Sequence, residues 1–200
     1  TWSLDQTDLA GLTVTPPEDS HEDFVLNVTA TSTETDGGDS ATVSGTINVD
    51  VNAVADAPTL VLSDAAGDED TAIALDISSS LNDLDGSESL EVVISGVPTG
   101  ASLSAGTDNG DGTWTLTEGD LSSLTITPPA DSDTDFSLSV TATATDINGD
   151  TASVTDSLFV DINAVADAPN LAANDVSGDE DTAIALDISS TLNDLDGSES

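Results

Sequence analysis

The 200-residue chain contains no lysine and no arginine, against 40 aspartates and glutamates and a single histidine. Nucleic acid and anionic membranes are held by cationic side chains, so neither is expected as a partner. Cysteine is also missing, which removes disulfides and thiolate metal sites as sources of rigidity. Methionine and tyrosine are absent, and the aromatics amount to two tryptophans and three phenylalanines. Without Lys, Arg, Cys or Tyr no obvious nucleophile–base pair exists. Carboxylate pairs of the glycosidase kind remain, but an active site repeated in near-identical tandem copies would be unusual. No enzymatic activity is expected. No apolar run reaches the roughly 20 residues of a membrane-spanning helix, no signal peptide is visible, and no membrane insertion is expected.

What the chain has instead is repetition. Gly67–Ser89 returns as Gly178–Ser200, 111 residues later, with one difference, Ser80 against Thr191. Val51–Pro58 returns as Ile162–Pro169 at the same offset, and Thr1–Phe24 returns as Thr113–Phe136 at 112. The first copy therefore carries one extra residue near Glu34–Asp39. This period is too long for a solenoid unit and matches a domain. The sequence reads as a window on a tandem array. Residues 1–56 are the back part of one repeat, 57–168 a complete repeat, and 169–200 the front of the next.

Within the complete repeat the pattern is all-β. Short alternating or apolar runs occur at Thr59–Leu62, Ala72–Ile77, Leu90–Ile94, Ala101–Ser104, Thr113–Thr117, Leu124–Thr127, Phe136–Thr145 and Thr151–Ile162, separated by Gly, Pro, Asn and Asp. Seven or eight such strands predict a sandwich. Asn148-Gly149 predicts a hairpin turn between the last two. Trp114 and Phe136 are expected as the largest core side chains, with Trp2 and Phe24 as their copies.

The acids fall at strand ends and in connections: Asp68-Glu69-Asp70, Asn82-Asp83-Leu84-Asp85-Gly86-Ser87-Glu88, Asp146, Asp150, Asp161-Ile162-Asn163 and Asp167. A net charge of −40 repels itself unless something neutralises part of it. Two readings follow, a salt-adapted solvated surface and a set of specific cation sites. Sandwich loops gather at the two poles, and clustered carboxylates raise one another's pKa unless a cation sits among them. Ca²⁺ takes six to eight oxygens of this kind, whereas Mg²⁺ demands stricter octahedral geometry. Asp83-x-Asp85-Gly86 does not open an EF-hand, because the twelfth position falls on Ile94. His21 has Asp133 as its counterpart in the next copy, so it reads as a surface residue.

These motifs resemble the bacterial cadherin-like repeats of giant surface adhesins, including the tandem repeats of RTX-type biofilm adhesins. The carrying residues are Glu69-Asp70-Thr71, Asn82-Asp83-x-Asp85-Gly86, Leu124-Thr-Ile-Thr-Pro-Pro129, Asp135-Phe136 with the alternating strand to Ala144-Thr-Asp146, and Asp167-Ala-Pro169. The resemblance implies tandem cadherin/immunoglobulin-like β-sandwiches of about seven strands, with calcium held between them. The implied ligands in the linkers are Asp161, Asn163 and Asp167, and one repeat earlier Asp50, Asn52 and Asp56. The Asp-x-Asp pairs are Asp83 with Asp85 and Asp194 with Asp196. Asp146 matches an Ala-x-Asp motif, and Glu69 and Glu180 match an early glutamate. The linker departs from the cadherin pattern, with Ala and Val where acids stand, and the Leu-Asp-Arg-Glu motif is missing. The implied function is a calcium-stiffened spacer in a large secreted bacterial surface adhesin, with neighbouring repeats as partners. The alternative is a self-assembling extracellular filament or matrix protein with homotypic lateral contacts.

Overall fold

A computed structural model describes residues 1–194 and Gly197. Fifteen strands are present among them. The first two are β1 (Phe24–Thr33) and β2 (Ser40–Val49), an antiparallel hairpin. There follow β3 (Thr59–Ser63), β4 (Ala65–Asp68), β5 (Ile73–Ala74), β6 (Asp76–Ser80) and β7 (Glu88–Ser95). Next come β8 (Ser102–Leu103), β9 (Thr107–Asp108), β10 (Thr113–Leu116), β11 (Thr125–Thr127), β12 (Phe136–Asp146) and β13 (Thr151–Asn163). The last two are β14 (Asn170–Asn174) and β15 (Asp187–Thr191), again an antiparallel pair. Two short 3₁₀ turns, Gln6–Asp8 and Glu118–Leu121, are the helical elements.

Strands β3 to β13 build a sandwich. One sheet runs β4-β13-β12-β7-β10-β9. The opposite layer is made of β5-β11-β8 and the pair β3-β6. All pairings are antiparallel except β4 with β13, which run parallel from Ala65 opposite Val160 to Asp68 opposite Asn163. The chain enters in one layer as β3, crosses at Asp64, and continues in the other as β4. Asp64 Oδ1 fixes the crossing by accepting the Phe159 N–H at 2.8 Å. This strand order is that of an immunoglobulin-like Greek-key sandwich, the fold class expected from the sequence. The run expected as one strand at Ala72–Ile77 is split at Leu75, whose N–H bonds Leu124 across the sheet.

Period two explains the core. Along β12, Leu138, Val140, Ala142 and Ala144 alternate inward and are fully buried. Leu138, Val140 and Ala142 pack with Val92 and Ile94 of β7, Leu158 and Val160 of β13, Leu116 and Ile126 from other strands, and Leu124 just before β11. Trp114 and Phe136 are only partly buried and pack at the edge of this aliphatic cluster. The expectation that they are its largest central pieces is corrected: Ile94, Leu116, Leu124 and Ile126 fill that role. Trp2, the counterpart of Trp114, is 91% exposed.

Repeated sequence makes repeated local structure. Asp135 Oδ1 accepts the Ile162 N–H, and Asp23 Oδ1 accepts the Val51 N–H, both at 2.8 Å. Asn82 donates to the Ala57 carbonyl and Asn193 to the Ala168 carbonyl. Thr71 and Thr182 close the same turn on Asp68 and Asp179. The extra residue of the first copy sits in the β1–β2 loop. There Glu34 N–H bonds the Asp39 carbonyl, where Asp146 N–H bonds that of Asp150. The counterpart of Asp146 is therefore Glu34. In the shorter loop Gly149 adopts φ 92° within the Asn-Gly turn, a conformation that favours glycine.

Candidate metal centre

Strand β12 ends in a carboxylate where its inward row should hold another aliphatic residue. Asp146 continues the buried row of Leu138 to Ala144 and is only 5% exposed. Its Oδ1 accepts the N–H groups of Asn148 and Asp150 at 2.7 and 3.1 Å, which shapes the β12–β13 turn. Its Oδ2 is buried and accepts no hydrogen bond. Directly opposite on β7 stands Glu88. Glu88 Oε1 accepts the backbone N–H of Asp56 at 2.6 Å, while Oε2 is likewise buried without a partner. A buried acceptor left unpaired costs about 1–3 kcal/mol, so these two oxygens are candidates to ligate a cation.

The β6–β7 loop brings the third carboxylate. Asp83 is 5% exposed and caps its own loop, accepting the Asp85 N–H at 2.8 Å and the Ser87 hydroxyl at 3.3 Å. Asp56, Asp83 and Glu88 each offer one oxygen within 4.8 Å of the others. Oxygens sharing one Ca²⁺ at about 2.3–2.6 Å are separated by up to roughly 5 Å, so the spacing fits a single hard cation. Asp56 belongs to the segment that follows β2, and Asp83 and Glu88 to the sandwich. The linker is fastened there a second time, because Asn148 Nδ2 donates to the Ala53 carbonyl at 3.4 Å. A cleft of 290 Å³ opens beside the cluster, lined among others by Asp19, His21, Asn52, Asp56 and Asp83.

Asp19 faces the same cleft in the left-handed region, φ 51°. Desolvation, then the charges of Glu18, Asp56, Asp83 and Asp85, push its carboxyl above the ordinary range. Its counterpart Asp131 has φ 53° and the same behaviour. Desolvation raises its pKa, followed by the charges of Asp70, Asp167 and Asp194. Asp70, Asp131 and Asp167 form the second set of oxygens within 4.8 Å. Asp70 Oδ1 also accepts the Asp131 N–H at 3.0 Å. Asp194 is 2% exposed. Nearby, buried Glu69 receives the Val165 N–H on Oε1 at 2.6 Å, and its own N–H bonds the Asn163 carbonyl. Asn163 Nδ2 donates to the Gly67 carbonyl and to Asp68 Oδ1. Both linkers thus meet acids at the poles of a sandwich.

The sequence-derived residues divide as follows. Asp56 and Asp83 share the first cluster, Asp167 lies in the second, and Asp194 adds its charge to Asp131. Asp146 faces Glu88 at the first cluster, and Glu69 anchors the second linker. Asn52 lines the cleft. Asp50, just after β2, and Asp161, on the outer side of β13, are exposed and join neither cluster. Glu180 lies in an exposed stretch. Asp85 is turned to His21 instead: its Oδ2 is 2.6 Å from His21 Nδ1 and accepts the His21 N–H at 3.1 Å. This contact holds Asp85 well below the ordinary carboxylate range and raises the imidazole pKa. Asp196 lies outside the described residues. Glu88 and Asp70 stand out from the sequence only as members of acidic runs, not as ligands, and Asp19 and Asp131 not at all. The shared Pro-Pro-x-Asp of Pro16–Asp19 and Pro128–Asp131 was the available signal, since proline ends the strand and aspartate tolerates the left-handed turn that follows.

No family model matches the chain, and no curated protein matches it. Among solved structures it is similar to the extracellular cadherin domains 3-6 of protocadherin gamma B2, at 17% identity and a TM-score of 0.37. That match covers 88% of this chain and 41% of that one. It is also similar to mouse protocadherin-24 EC1-3, at 16% identity and a TM-score of 0.30, covering 70% and 46%. The chain spans less than half the length of either structure.

Proposed function

We propose that the chain is a run of calcium-stiffened extender repeats from a large secreted bacterial surface adhesin, with residues 57–168 as one complete repeat. The observation that carries this reading is the convergence of linker residue Asp56 on Asp83 and Glu88, with Asp146 Oδ2 and Glu88 Oε2 buried and unpartnered beside it. Asp56, Asp83, Glu88 and Asp146 would hold the first ion, and Asp70, Asp131 and Asp167 the second. A bound cation supplies positive charge to a chain that has no lysine and no arginine.

The mechanism is mechanical. A linker between two sandwiches is a flexible joint unless its residues are fixed to both neighbours. Here Asp56 is fixed through its N–H to Glu88, and a cation shared with its carboxylate removes the remaining freedom. Binding to the folded joint alone becomes folding free energy. Strand β13 has 13 residues and spans about 43 Å at roughly 3.3 Å per residue, so each repeat lengthens the array by about that much. A stiff array projects whatever lies at its end away from a surface.

Small-angle scattering of a chain with several consecutive copies tests this. Calcium should increase the radius of gyration and the maximum dimension, and chelator should reverse both. Unchanged dimensions would remove stiffening from the account. A concentration-dependent rise in mass with calcium would favour the filament instead.

A further inference from the structure

We infer that His21 is a built-in hydrogen-bond donor that takes Asp85 out of the cation-binding set, so the first junction binds calcium more weakly than a junction with an acid at that position. The inference rests on the cation-braced reading of the junctions.

Asp85 occupies the second acidic position of Asp83-x-Asp85, yet its oxygens are already in use. Oδ1 accepts the Ser87 N–H at 2.8 Å. Oδ2 accepts the His21 backbone N–H at 3.1 Å and faces Nδ1 of the same residue at 2.6 Å. A carboxylate offers about four lone-pair sites, and three are spent on protein donors. The contrast with the neighbouring cluster is direct, because Glu88 Oε2 and Asp146 Oδ2 are buried with no donor at all.

His21 reaches Asp85 from the other side of the joint, 64 residues away in sequence, in the segment that precedes β1. It is the single histidine of a chain with no lysine or arginine. Its counterpart one copy later is Asp133. An aspartate at residue 21 would set a second carboxylate against Asp85, and that pair would need a cation between them. The imidazole satisfies Asp85 without one. The first joint is therefore held partly by a protein-supplied donor, and its ion is left to Asp56, Asp83, Glu88 and Asp146.

Calorimetric calcium titration of the 200-residue chain, at one fixed pH of 6.5, tests this with His21→Ala and His21→Asp. Alanine adds no charge and frees Asp85 Oδ2 from the imidazole. One class of calcium site should tighten about tenfold in His21→Ala, the scale of one hydrogen bond to a charged group. His21→Asp should tighten it at least as much. Unchanged or weaker binding in His21→Ala would overturn the inference, showing that the imidazole orders the site and does not compete for it. No heat of calcium binding in the wild-type chain would overturn the cation-braced reading itself. The carboxyl carbon shift of Asp85 gives a second readout. Calcium should leave it unmoved in the wild type and shift it in His21→Ala; a calcium-dependent shift in the wild type would overturn the inference.

Discussion

Replacing Asp146 by asparagine separates a site built for a cation from an ordinary buried turn residue. The substitution keeps an oxygen to receive the N–H groups of Asn148 and Asp150, so the β12–β13 turn survives. It replaces Oδ2, a buried acceptor with no partner, by an amide NH₂ that faces the carboxylate of Glu88. In chelator this removes an uncompensated charge from a buried acidic cluster and relieves an unpaired acceptor worth about 1–3 kcal/mol. The variant should therefore be more stable than wild type without metal, by about 1–2 kcal/mol. For a domain of this size that is roughly 5–10 °C in melting temperature. With calcium most of that advantage should disappear. Wild type gains about 2.7 kcal/mol at a hundred times the Kd, and a tenfold loss of affinity in the variant removes about 1.4 kcal/mol of it. Thermal melts by circular dichroism, with and without calcium, read both the gap and its closure. A variant less stable in chelator, with an undiminished calcium increment, would refute the reasoning.

Three further outcomes follow from the same structure. Glu88→Gln should weaken calcium binding by about tenfold or more while leaving the fold intact, as read by calorimetry and circular dichroism. Leu138→Ala, at a fully buried position, should cost about 2–5 kcal/mol equally in calcium and in chelator, since it lies in the core and away from the acids. In chelator, the His21–Asp85 pair should stabilise only within a pH window. Its histidine part is fully present below the ordinary 6.5 and is lost as pH rises through the raised folded value. Its aspartate part is present above the ordinary 3.8 and is lost as pH falls through the lowered folded value. The stability difference between wild type and His21→Ala should thus be flat from 3.8 to 6.5 and shrink on both sides. A difference constant across the whole range would deny the pair any role.

Local pattern made most of the fold legible. Period two along Phe136–Thr145 identified both the strand and its inward face, because alternation is dictated by the pleat itself. Asn148-Gly149 marked its turn for the same local reason. The split of the second-layer strand at Leu75 was not legible, since it depends on a bond to Leu124 across the sheet. The candidate acid clusters were legible in part. Acids next to a repeated linker pointed to Asp56, Asp83 and Asp167, and strand alternation carried Asp146 to the pole. Glu88 joined the site through pairing opposite Asp146, and Asp70 with Asp131 through a contact 61 residues apart; no local window contains those pairings. Asp85 shows the converse, because its motif is that of a ligand while its partner is His21. The offset from His21 to Asp133 was visible in the sequence, but the contact that gives it meaning is made only in the folded chain.

The central claim is that calcium, specifically, completes these joints. A thermal melt of the whole chain in calcium, in magnesium at equal concentration, and in chelator tests it most directly. A large rise in melting temperature with calcium that magnesium fails to reproduce is the predicted result. Coincident melts in all three would contradict it, and the acid clusters would then be a solvated surface.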